Sequence, residues 1–190
     1  MTLLIIGLTL FIFVHLIPSM GGLRAVLAGR IGEQKYKGII GLVALVGLAL
    51  TIWGYHVAPV APLWIPPMSA GFTVTAMMLV STILFVASII PSNIKRVVRH
   101  PQLSAVILFS GAHLLVNGDL ASIILFGSLL LFSVVAVISA LIRKLGDNIG
   151  PQPASRDIKV LIIGAVVFAA LVFLHPYLFG VPALNFVRPA

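Results

Sequence analysis

The sequence predicts an all-α, polytopic transmembrane helical bundle with about six helices, forming a single domain over residues 1–190. Three observations predict it. Of the 190 residues, 61% are hydrophobic and only 8% are charged, whereas a soluble domain carries about 25% charged residues. Six apolar runs approach the ~20 residues that a spanning helix needs: 2–18, 38–58, 70–90, 102–117, 120–142 and 158–178. None of the twelve prolines falls in the middle of a run, where a missing N–H is costly in lipid.

The first run ends at Pro18. It lacks the positive flank and small-residue cleavage site of a signal peptide, so it reads as structure. Pro59, Pro62, Pro66 and Pro67 fill the connection after the second run, and Pro91 closes the third. Thr75, Met78, Ser81, Thr82, Phe85 and Ser88 give that third helix a semi-polar stripe suited to helix packing. Pro101 opens the fourth helix, in the first turn where proline is tolerated. Asn117-Gly118-Asp119 makes a tight turn into the fifth, and Pro151 and Pro153 mark the connection to the sixth.

The net charge of +8 would suggest nucleic acid in a soluble protein, but in a membrane protein Lys and Arg set orientation. Loop one carries Arg24, Arg30, Lys35 and Lys37; loop three carries Lys95, Arg96 and Arg99. Arg143, Lys144, Arg156 and Lys159 surround loop five, which leaves only Arg188 elsewhere. The bias places loops one, three and five in the cytoplasm, with both termini outside the inner (cytoplasmic) membrane. Membrane lipid is the expected surrounding, nucleic acid has no role, and no pattern specifies an oligomeric state.

The chain has no cysteine, which excludes disulfides, thiolate catalysis and cysteine-held iron. It has no internal repeat and no Walker pattern, so nucleotide hydrolysis has no support. Glu33, Asp119, Asp147 and Asp157 all fall in loops by the spans above, so a carboxylate pair working within the membrane is not expected.

Histidine carries the remaining chemistry. An ionisable side chain within a span is costly enough to point to function, and His15 and His113 qualify. His113 shares a helical face with Val106, Ser110 and Asn117, a polar stripe expected to face the interior. At 1.5 Å rise per residue, His15 lies roughly 10 Å and His113 roughly 17 Å above the cytoplasmic edge of the core. Two imidazoles from different helices at similar depth can hold a haem iron or another metal, iron, zinc and copper alike. The alternative is that each bonds a neighbouring carbonyl or serine in a polar helix contact.

His100 lies in Arg99-His100-Pro101 at the mouth of the fourth helix, either as a helix cap or, with Arg99, as a donor to an anionic group such as a propionate. His56 keeps company with Trp53 and Tyr55, and His175 with Tyr177, as interfacial residues do.

His15-Leu16-Ile17-Pro18-Ser19 with Arg24 downstream, Arg99-His100-Pro101-Gln102, Ala112-His113-Leu114 and Asn117-Gly118-Asp119-Leu120-Ala121-Ser122 together resemble the NnrU family. That family includes bacterial proteins associated with denitrification and the 15-cis-ζ-carotene isomerases. The resemblance runs over roughly 1–145 and is strongest from 95 to 130. It implies haem b as cofactor, His15 and His113 as iron ligands, and Arg24, Arg99 or His100 near the propionates. It also implies a lipophilic polyene substrate rearranged by cis–trans isomerisation and an electron donor, with His56, His100 or His175 available for a ligand switch. The other role it implies is a non-catalytic haem redox, sensing or accessory protein in nitrogen-oxide metabolism.

Arg99-His100-Pro101 also resembles the helix-opening motif of the isoprenylcysteine carboxyl methyltransferases, which bind S-adenosylmethionine. Those enzymes follow it with glutamates, and this chain has none after Glu33.

Overall fold

The computed structural model describes residues 1–20, 22–67, 70–146 and 149–183. Asp147 and Arg188 lie outside the described residues. Helices α1 (Thr2–Leu16), α2 (Leu23–Ile31), α3 (Glu33–His56), α4 (Gly71–Ile89), α5 (Asn93–Val97), α6 (Pro101–Val116), α7 (Leu120–Ile142) and α8 (Ala154–Phe179) follow in order, with a 3-10 turn at Ile17–Ser19.

Four of them, α3, α4, α7 and α8, are long and apolar enough to cross a membrane. The apolar helices α1 and α6 have 15 and 16 residues. Both correspond to predicted spans. Pro18 turns the end of α1 into the 3-10 turn, while Pro101 and the Asn117 turn bound α6.

Two short helices depart from the expected loops. Loop one folds into α2, whose Leu23, Leu27 and Ala28 pack with Val14, Ile17 and Tyr36, while Val26 and Ile31 stay exposed. Loop three contains α5, capped by Ser92, whose side chain accepts from the Lys95 N–H. Glu33 and Asp157 also stand inside helices, in the first turns of α3 and α8. There the positive end of the helix dipole favours a carboxylate.

The long helices form a row in the spatial order α3, α1, α7, α6, α4, α8, each packing mainly on its neighbours, and α3 also touches α7. The α1–α3 pair is the closest. A Cβ on Gly7 would lie 2.4 Å from Thr51 N, one on Gly47 2.8 Å from Phe11 N, and one on Gly54 2.2 Å from Leu4 N. Only glycine permits that approach, the device by which membrane helices gain van der Waals contact without a hydrophobic driving force. Gly164 does the same for α8 against Ile83 of α4.

The polarity is that of a lipid-embedded protein. Thr51, Ser81, Thr82, Ser110, Ser122 and Ser133 are buried, while large aliphatic side chains such as Leu131 and Ile52 are exposed. The semi-polar stripe of α4 serves packing as expected, since Ser81 Oγ donates to the Ala105 carbonyl of α6 at 2.8 Å.

Loops one, three and five meet at one end of the row. Arg143 Nη1 donates to the Pro18 carbonyl (3.0 Å), Asp157 accepts from Asn93 N and Nδ2 (2.7 Å each), and Gly146 lies against Arg99 and His100. This is the basic end. At the opposite end the segment after α3 clips onto the α6–α7 turn: Leu63 N–H donates to the Gly118 carbonyl (2.7 Å) and Leu120 N–H to that of Ala61 (2.9 Å). A Cβ at Gly118 would stand 2.0 Å from the Trp64 carbonyl oxygen, which explains the glycine there.

Candidate functional site

His15 and His113 repeat one local arrangement. Each has a phenylalanine four residues earlier, Phe11 and Phe109, and the ring centroids are 4.3 Å apart in both pairs. His15 Nδ1 lies 2.6 Å from the Phe11 carbonyl oxygen, and His113 Nδ1 lies 2.9 Å from that of Phe109. A carbonyl can only accept, so in both rings Nδ1 carries the proton and Nε2 carries the lone pair. That is the form in which histidine ligates metals, with the second nitrogen anchored to orient the ring and raise its basicity.

Helix α7 supplies the other wall of both sites. Phe126 stacks on His113 at 4.5 Å and also meets Phe109 at 5.6 Å. Phe132 meets His15 edge-on at 6.2 Å. Six residues separate the two phenylalanines, about 9 Å along the α7 axis and roughly 120° around it. The two histidines therefore meet α7 at different levels and on different faces. His113 is half-buried, whereas His15 is exposed.

The basic end holds the remaining candidates. His100 stands at the N-cap position of α6 without a side-chain capping bond and packs near Gly146, and its Nε2 is enclosed with no hydrogen-bond partner among the described residues. Arg99 beside it is exposed. Arg24 is engaged elsewhere: its Nη2 lies 2.6 Å from Glu33 Oε1, a carboxylate that Lys37 shares at 3.3 Å.

His56 ends α3, exposed. His175 donates from Nδ1 to the Val181 carbonyl at 2.5 Å.

A haem iron receives its equatorial ligands from the porphyrin and one or two axial ligands from the protein, so the chain need supply only isolated imidazoles. Among the described residues no group of three or more His, Asp or Glu gathers at one point. The donor chemistry of His15 and His113 suits a haem, each ring leaving Nε2 available, but the two rings sit against different faces of α7 and do not meet among the described contacts.

Two features went unrecognised in the sequence. The aromatic walls Phe126 and Phe132 depend on the register between helices, which no local pattern encodes; only the Phe-x-x-x-His spacing was readable. At the opposite end, Ser122 Oγ donates to Asp119 Oδ2 (2.6 Å) and accepts from the Tyr55 hydroxyl (2.8 Å), while Asp119 Oδ1 caps α7 through the Ser122 N–H (3.0 Å). Asn117 Nδ2 donates to the His113 carbonyl (2.8 Å), so the turn after α6 is tied to the histidine.

A groove of about 340 Å³ runs between α1 and α7. Its walls include Leu8, Ile12, Leu16 and Ile124, with Thr9 and Ser128 the polar contributors.

The family model described as NnrU protein matches residues 3–183. The match thus extends through α8, beyond the 1–145 over which the resemblance is legible by eye. No curated protein and no solved structure matches the chain.

Proposed function

The chain belongs to the NnrU family, and from that premise we propose that it holds a haem b within its transmembrane helices, with His15 and His113 as iron ligands, and acts on a lipophilic polyene by cis–trans isomerisation. The observation that carries this reading is the repeated Phe-x-x-x-His arrangement, which leaves Nε2 of both rings as the available nitrogen.

A haem held there would supply one-electron chemistry inside the bilayer. The carbonyls of Phe11 and Phe109 hold the imidazoles in the ligating tautomer; Phe126 covers His113, while Phe132 meets His15 edge-on and leaves it exposed. Arg99 and His100 are assigned to the propionates, a role for which the enclosed Nε2 of His100 suits it. Arg24 would serve there only by exchanging Glu33 for a propionate. The α1–α7 groove offers an elongated apolar molecule a bed on the two helices that bring His15 and Phe132 together. The basic end faces the cytoplasm in this reading.

The test is a reduced-minus-oxidised absorption spectrum of the detergent-purified protein with a pyridine haemochrome assay. Near one haem b per chain is expected, with losses in His15→Ala and His113→Ala. Protein made with ample haem that carries none, or alanine variants with unchanged haem, would overturn the reading. A haem-loaded, reduced protein that leaves a cis-polyene unchanged would keep the cofactor and replace catalysis with a redox or accessory role.

A further inference from the structure

We propose that the connection between α3 and α4, residues 57–67, is a lipid-binding surface rather than an aqueous loop: it lies at the boundary between hydrocarbon and headgroups and covers the α6–α7 turn. The proposal is independent of haem.

The segment has no polar side chain except the Trp64 indole, and no Asp, Glu, Lys or Arg occurs between Lys37 and Lys95. Val60 is 88% and Ile65 79% exposed, and Phe72 at the start of α4 is 83% exposed. These side chains continue the exposed apolar surface of α3 at Ile52 and Trp53. In water such a patch is a liability unless something covers it.

The backbone selects lipid as that cover. A segment in contact with lipid must satisfy its own polar groups, and this one has few left. Pro59, Pro62, Pro66 and Pro67 carry no N–H. The N–H groups of Val57 and Ala58 donate to the carbonyls of Trp53 and Tyr55, and those of Leu63 and Trp64 to Gly118. Only Val60, Ala61 and Ile65 keep an N–H without a partner among the described residues. A peptide that paired along the segment as an added strand would need a run of donors, which the prolines interrupt.

Depth agrees. Helix α6 covers about 24 Å, so with one end at the edge of a ~30 Å core its far turn falls short of the other edge. The segment sits directly on that turn, through Leu63 and Trp64 at Gly118 and through Leu120 N–H at Ala61. Both tryptophans of the chain, Trp53 and Trp64, stand at this end, as residues with an apolar ring and a polar N–H do at the boundary of a bilayer.

The experiment uses the full chain in phosphatidylcholine nanodiscs. In Trp53→Phe, Trp64 is the one remaining tryptophan. Its emission is expected to be blue-shifted and to lose more intensity to lipid brominated near the glycerol end of its chains than to lipid brominated near the methyl end. Quenching that does not favour the glycerol end, or loss of intensity to aqueous iodide alone, would overturn the proposal.

Because the chain has no cysteine, Val60→Cys and Ile65→Cys each place a nitroxide at one position. Collisions with oxygen should exceed those with a water-soluble nickel chelate, as at Leu131→Cys on the exposed apolar flank of α7. The reverse preference, matching Arg156→Cys at the exposed basic end, would overturn the proposal. Shielding from both probes, or spin–spin broadening between copies, would overturn it as well and give the surface to a protein partner or a second copy of the chain.

Discussion

His15 and His113 share a local environment and differ in nearly everything beyond it. Both follow a phenylalanine at four residues, and both bond that residue's carbonyl through Nδ1. Yet His113 is half-buried between Phe109 and Phe126, while His15 is exposed, touched edge-on by Phe132. Local sequence fixed the tautomer in both places, and tertiary packing decided which ring is enclosed. In the haem reading the two rings would then have different duties: the enclosed ring would anchor, and the exposed ring could be exchanged.

The largest expected effect breaks the comparison on the His15 side. Gly54→Leu drives a side chain into the backbone of α1, where even a Cβ would lie 2.2 Å from Leu4 N. Overpacking of this kind costs about 1–3 kcal/mol or more. The measurement is the melting temperature in detergent, and the His15 contribution to any haem spectrum should be lost with it.

Next, His113→Ala removes a ring stacked on Phe126 and tilted against Phe109, worth about 1–3 kcal/mol by analogy with other truncations of packed side chains. His15→Ala should cost clearly less stability, as an exposed position does. Equal melting temperatures for the two variants would erase the distinction. In the haem reading, added imidazole should restore the spectrum of His15→Ala and leave His113→Ala unrescued, because only the first site is open.

A smaller effect sharpens the role of the α6–α7 turn. Tyr55→Phe deletes one hydrogen bond to the buried Ser122, a loss of about 1 kcal/mol. It should lower the melting temperature without changing haem content, since Tyr55 touches Phe126 only edge-on at 6.5 Å.

Much of the fold was legible because lipid punishes polar backbone so severely. Pro18, Pro91 and Pro101 marked element ends to within a residue or two, and Leu120–Ile142 coincides with the expected fifth span. The misses lie where water returns. The helix α2 mixes Arg24 and Arg30 with apolar residues that rest on α1 and α3, so hydrophobicity alone hid it. Helix α3 begins at Glu33, five residues before the expected 38, helped by the Glu33–Lys37 pair one turn apart.

At the site, rise per residue anticipated histidines roughly 7 Å apart in depth, and their α7 partners are about 9 Å apart along its axis. The aromatic partners themselves were illegible. Phe126 and Phe132 are two of eleven phenylalanines in the chain, and nothing local separates a ring that faces a histidine from one that faces lipid.

The shortness of α6 bears on how His113 communicates with the outside. Sixteen residues cover about 24 Å, several ångströms less than the ~30 Å of hydrocarbon around it. His113 stands three residues from the end of the helix, so about 6 Å of helical rise separates it from the polar turn at Asn117. The insulating layer is thinnest on that side. In the haem reading, an electron reaching His113 from the Asn117 end would have a short passage, whereas one from the His100 end would have most of the helix to cross.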